Sequence, residues 1–265
     1  MNQLNSNTLT TSNQELTIRL KAVYEQFMEG LQIDPQTGVL GRISNPSYKN
    51  QVGRIRFSGY PFIGSQYESS TPKILVVGLD IGIDECQEKN TYHSFDSRNS
   101  CIEPTKQSEN WYNKHIAGTY GVIMFLLKDY YGWNHYWEDY FENKTETFET
   151  ILNNYGPTVL PFDVLSHIAF TNIHKYVTIG RDEHRSGDEN RKWYNPQEER
   201  ALFKAEIGCF SPDIVYVQGQ STFDWELLEF LKGAGYRIVL SDHPSSWRNG
   251  ANLPSYVRKL KLINW

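Results

Sequence analysis

Cysteine is scarce in this chain. Cys86, Cys101 and Cys209 are the only three in 265 residues, they form no CxxC pair, and their odd number leaves one thiol over. Neither a disulfide framework nor a cysteine-rich metal site is supported. Positive charge is not in excess either. A formal net charge of -5 argues against a protein that coats nucleic acid through bulk charge, while leaving room for a local basic patch. Long apolar runs are missing: ILVVGL and VIMFLL are too short to cross a bilayer, and MNQLNSNTLTTSNQ has neither the basic nor the apolar region of a signal peptide. A cytoplasmic protein with no membrane partner is expected. There are no repeats, no low-complexity tracts, no GxGxxG loop and no HxH or DxD pair. What the chain does carry is aromatic weight, with seven Trp and seventeen Tyr. These supply either flat stacking surfaces or a Tyr-rich exterior, and composition leaves both open.

Residues 1–13, polar and rich in Asn and Thr, read as a disordered tail. A helix and loop extension, 14–70, follows. Ser12 and Glu15 are spaced as a capping box, and Leu16, Leu20, Val23, Phe27 and Leu31 recur at helical spacing. Turn residues dominate from Asp34 to Pro72, so that stretch is expected to be a long loop. From residue 71 to 265 short β-branched runs alternate with helical ones. Strands are predicted at 74–79, 168–172, 214–217 and 237–240, and helices at 116–131, 196–209 and 222–232, the last capped by Ser221 and ended by Gly233. Such alternation implies right-handed βαβ crossovers. The expected fold is α/β, a three-layer α/β/α arrangement around a central four-stranded parallel sheet.

In sheets of this kind ligands bind beyond the carboxyl ends of the strands. The first strand runs into Gly78-Leu79-Asp80-Ile81-Gly82, the second into Asn172 and then His174-Lys175, the third into Gln218-Gly219-Gln220-Ser221, and the fourth into Asp242-His243-Pro244-Ser245-Ser246. Each has an ordinary explanation alone. Glycine serves tight turns, Asp caps helices, Asn satisfies its own backbone in turns, and a loop histidine is usually just hydrogen-bonded. Together they would bring a carboxylate, a carboxamide and an imidazole to one rim. The last loop, SDHPSSWRNG, holds more hydrogen-bonding equipment than a turn needs.

The order of these motifs resembles the uracil-DNA glycosylase superfamily. VVGLDIG is similar to its first motif, SDHPSS to its closing H-P-S motif, and FTNIHKYVT to the strand carrying its base-reading Asn. NRKWYNPQEERALFKAEIGCFSPDIVYVQGQSTF resembles a stretch of the iron-sulfur branch, and HIAGTYGVIMFLLKDYYG its Gly-bearing helix after the first motif. The likeness covers the chain from about Thr71 onward. Two departures stand out: Ile81 replaces a proline, and Gly82 replaces the tyrosine that excludes thymine in the best-known branch. Of the iron-sulfur branch's cluster cysteines only Cys209 remains, so no cluster and no other cofactor is expected. The aromatic stretch DYYGWNHYWEDYF, starting at Asp129, matches none of the motifs.

The resemblance implies a monofunctional DNA glycosylase acting on a flipped damaged or modified pyrimidine and leaving an abasic site. Asp80 and His243 would be catalytic. Asn172 would read the base edge, with Tyr92, His93 or Phe95 as the stacking ring. Ser245, Ser246, Trp247 and Arg248 would contact DNA, although Trp247 equally suits a cover over the strand edge. No lysine stands at a catalytic position, so no Schiff-base step is expected. Arg54, Arg56, Arg181, Arg185, Arg191 and Lys192 are solvated surface charges unless they share the motif rim, where they would meet phosphates. The substrate is either a uracil-type base or, given the enlarged pocket implied by Gly82, a hypermodified cytosine such as glucosylated hydroxymethylcytosine in phage DNA. The partner is thus DNA, with no obligate protein partner evident. Two alternatives stay open. Asp80, Asp84, Glu85 and His243 form a candidate metal set for phosphodiester hydrolysis, and a silent binder of modified DNA would keep the same fold without turnover.

Overall fold

A computed structural model describes residues 11–28, 55–57, 60–78, 114–130, 164–178, 196–221, 223–244 and 253–265. Four runs of buried apolar residues form its centre: β3 (Ile74–Gly78), β4 (Ile168–Asn172), β6 (Ile214–Gln218) and β7 (Arg237–Ser241). In β3 all five residues are buried, so the run is continuously apolar rather than alternating, as a strand covered on both faces must be. The sheet order is β2-β4-β3-β6-β7-β8. β4, β3, β6 and β7 are mutually parallel. The short strands β2 (Phe62–Ile63) and β8 (Lys261–Ile263) close the two edges in antiparallel pairing. Among the described residues the sheet therefore has six strands rather than the expected four, because two short segments add themselves to a parallel centre. β1 (Ile55–Phe57) and β5 (Tyr176–Thr178) pair separately as a two-stranded antiparallel ribbon.

Successive strand residues face opposite sides. On one side Leu75, Val77, Ala169, Val215, Val217, Ile238 and Leu240 share an apolar cluster with three helices: α1 (Thr11–Met28), α3 (Pro196–Phe210) and α4 (Trp225–Gly233). Leu16, Leu20 and Tyr24 bring α1 into that cluster. Each such side chain, taken fully out of water, contributes about 1.5–3 kcal/mol. On the other side lies α2 (Lys114–Leu127), whose Val122, Ile123, Met124, Leu126 and Leu127 are buried, with the short α5 (Leu253–Val257) against it. Helices thus cover both faces.

Local chemistry fixes the helix ends. Pro196 opens α3, where its missing N–H is no loss, and Glu198 and Glu199 fill its first turn. Asp224, not Ser221, caps α4: its carboxylate accepts from the Leu227 amide and also pairs with Arg200, whose Nη2 lies 2.7 Å from Oδ2. A carboxylate that satisfies an orphan amide and an arginine together outcompetes a hydroxyl farther back. At the other end of the chain α1 begins at Thr11, earlier than expected, so Ser12 lies within the helix rather than capping it. Asn13 is buried, donating to the carbonyls of Gly64 and Ser65 at 2.8 Å each. Three residues assigned to a disordered tail are therefore helical.

Candidate functional site

The chain runs from β3 to β4 through α2 on one face, then returns to the far side of β3 and continues from β6 through α4 on the opposite face. Connections leaving β3 and β6 thus diverge at the carboxyl ends of these two strands. This is the switch point at which open α/β sheets bind ligands. The residues on its edge are in register: Gly78 pairs with Asn172, and Gln218 with Ser241.

Asn172 closes β4 and is 5 % exposed. Its amide lies across Gly78 of β3. A Cβ at position 78 would collide with Asn172 Oδ1 and come within 3.1 Å of the Phe170 ring, so only glycine leaves space for the amide. Asn172 Oδ1 has no hydrogen-bond partner among the described residues. On the other side of Gly78, Gln218 ends β6 at 3 % exposure. Gln218 Nε2 donates to Thr119 Oγ1 of α2 at 2.7 Å, while Gln218 Oε1 likewise lacks a partner among the described residues. A buried acceptor without a donor costs about 1–3 kcal/mol, so two of them flanking one glycine call for an explanation.

The same helix holds the loop after β7. Gly118 of α2 packs against the Pro244 backbone, whose carbonyl carbon would stand 3.0 Å from an added Cβ. The start of the loop is latched to β6: the amides of Gly219 and Gln220 both donate to Ser241 O, at 3.1 and 2.8 Å. Asp242 O accepts from the hydroxyls of Ser241 at 2.7 Å and Tyr256 at 2.8 Å. Gln220 Nε2 donates to Asp242 Oδ1 at 2.9 Å. Between these anchors His243 is exposed, and burial of part of its ring pushes its pKa below the ordinary histidine value. Burial thus favours its neutral form.

Of the residues singled out from sequence, Asn172 and His243 are described, and both stand at the carboxyl edge, with β3 and β6 between their strands. Asp80, Tyr92, His93, Phe95, Ser245, Ser246, Trp247 and Arg248 lie outside the described residues, as do Asp84 and Glu85. The basic positions 54, 181, 185, 191 and 192 also lie outside them, whereas Arg56 falls within β1. Lys175, the cation expected near the rim, turns inward. Its Nζ is fully buried, 2.7 Å from Glu206 Oε2 and 2.8 Å from Thr171 Oγ1, and Tyr24 OH also bonds Glu206. The Lys175 amide donates to Glu199 Oε1 at 2.8 Å. Two carboxylates seven residues apart on α3 therefore clamp the segment after Asn172. His174 is buried as well, and loss of hydration, reinforced by Lys175, lowers its pKa to about 4 despite the opposing pull of Asp224.

Gln218 was named at the end of the third strand without a role, and Thr119 was given none. A polar residue closing the apolar run IVYVQ was the available signal. Glu199 and Glu206 were signalled too, since they fall on the stripe of Leu202, Phe203, Ile207 and Phe210 where apolar residues belong. The chain matches no protein-family model and no curated protein.

Proposed function

We propose that this chain is a monofunctional DNA glycosylase with a uracil-DNA-glycosylase-like fold, hydrolysing the N-glycosidic bond of a flipped damaged or modified pyrimidine. The supporting observation is the buried Asn172 amide. Its acceptor is unpartnered among the described residues, and it lies over Gly78, which is itself two positions along the chain from Asp80. An amide offers the donor and acceptor that reading a pyrimidine edge needs.

Bond cleavage develops positive charge on the sugar and negative charge on the departing base. Asp80 stabilises the former and orients the attacking water. His243, in its neutral form, donates a hydrogen bond to the oxygen on which the base's charge builds; a fixed donor stabilises that charge without needing to be cationic. Tyr92, His93 or Phe95 supplies a ring on which the base stacks, worth about 1–3 kcal/mol. Extrusion of the nucleotide costs a few kcal/mol, least for a mismatched or damaged base. Ser245 and Ser246 hold the flanking phosphates, and Trp247 or Arg248 fills the vacated stack.

The test is incubation of the full chain with duplexes carrying uracil, hypoxanthine or glucosylated hydroxymethylcytosine. Alkaline cleavage at abasic sites and mass spectrometry of the released base follow. Release that persists in excess chelator and disappears in Asp80→Asn, with DNA binding retained, is expected. Strand cutting without alkali and without a released base, abolished by chelator, would move the assignment to a metal-dependent phosphodiester hydrolase, and binding without release from any duplex to a silent modified-DNA binder.

A further inference from the structure

Asn172 and Gln218 stand on the two strands that flank β3, and both present a buried oxygen acceptor without a partner among the described residues. Gln218 is the better fixed of the two. Its NH2 donates to Thr119 Oγ1 at 2.7 Å, and in this arrangement the oxygen is the half of the amide left without a partner among the described residues. Gly78 between them contributes no side chain, and the space above it is taken by the Asn172 amide. Thr119 and Gly118 tie this position to α2 and, through Pro244, to the loop bearing His243.

We infer that Gln218 is a second recognition amide of this site and a specificity-determining residue, selecting ligands that bring N–H or O–H donors to the switch point: an aminopyrimidine, or a pyrimidine with a hydroxylated substituent. The inference rests on the glycosylase reading for the nature of the ligand. The chemistry is that of mismatched acceptors. A uracil edge offers one ring N–H between two carbonyl oxygens, and an oxygen set against the Gln218 oxygen repels it. The exocyclic NH2 of cytosine carries two donors, and a hydroxymethyl group adds another. Each donor satisfies an oxygen that folding has already removed from water, and a ligand lacking it leaves that oxygen unpaired.

Two readouts on the full chain test this: single-turnover release of the base, and anisotropy binding of short single-stranded oligonucleotides bearing cytosine, 5-hydroxymethylcytosine or uracil at one position. Gln218→Met keeps the length of the side chain and removes the acceptor. It is expected to lose about tenfold or more in preference for the donor-bearing bases, with uracil little changed. Thr119→Val keeps its shape and frees the amide to rotate. It is expected to relax the same preference, and it serves where Gln218→Met does not fold. If bases are released but the ratio between substrates is unaltered in both variants, the inference falls and the glycosylase reading stands. If nothing is released but the binding preference vanishes with Gln218, the glycosylase reading falls and the role of Gln218 stands. Neither release nor any difference in binding overturns both.

Discussion

Removing one member of the Lys175–Glu206 pair should be far more damaging than removing both. The two side chains are fully buried, with 2.7 Å between Nζ and Oε2. Glu206→Leu leaves an ammonium in the core beside the Thr171 and Tyr24 hydroxyls, at 2.8 and 3.4 Å, without its buried carboxylate. Lys175→Met leaves a carboxylate whose pKa burial already pushes up. Breaking a buried pair in this way costs about 3–5 kcal/mol. With a urea dependence of roughly 3 kcal/mol per molar, each single variant should unfold about 1–2 M earlier. In the double variant Lys175→Met/Glu206→Leu two apolar chains of similar volume fill the space, and stability is expected to return to within ~2 kcal/mol of the parent. Equilibrium urea unfolding followed by tryptophan fluorescence measures all four proteins. Single variants that lose less than ~1 kcal/mol, or a double variant as unstable as the sum of the singles, would refute the claim that the pair is a desolvated ion pair.

The remaining expectations concern the switch-point edge and its supports. His174, with a folded pKa of about 4, binds its proton more weakly folded than unfolded. Stability should therefore be intact above pH ~6.5 and fall by about 3 kcal/mol as the pH drops toward 4, a slope that His174→Gln removes in pH-dependent urea titrations. Gly78→Ala pushes the Asn172 amide from its place; release of the base should slow about 100-fold with only a modest fall in melting temperature. Asp224→Ala deletes both the cap on Leu227 N and the Arg200 pair, and calorimetry should show a loss of about 1–2 kcal/mol, about half of it recovered by Asp224→Asn.

The parallel centre was legible because its signal is local. The runs ILVVG, IAFTN, IVYVQ and RIVLS are β-branched and apolar, and their observed bounds differ from the expected ones by one residue at most. The edge strands were not legible. β2 has two residues and β8 three, too few for any period to show, and they exist only because a neighbouring strand offers its ladder. The cap of α4 was misplaced because Ser221 and Asp224 are equally good in isolation; the difference is made by Arg200, distant in sequence. The inward turn of Lys175 was hidden for the same reason, since its counter-ion stands thirty-one residues away. At the proposed site, Asn172 was singled out by its place at a strand end, while Gln218 was named there without a role, because the unpartnered state of its buried oxygen shows only in the folded chain.

The contact between Gly118 and Pro244 welds a helix to a loop through their backbones alone. No side chain mediates it, and any side chain added at Gly118 would collide with the Pro244 backbone. A descendant of this protein that reshaped the His243 loop to admit a different ligand would have to move α2 in step, carrying Thr119 and the Gln218 amide along. New specificity would then arise by shifting the whole wall of the site at once, and a graft of the loop alone into a related scaffold would arrive without the surface it leans on.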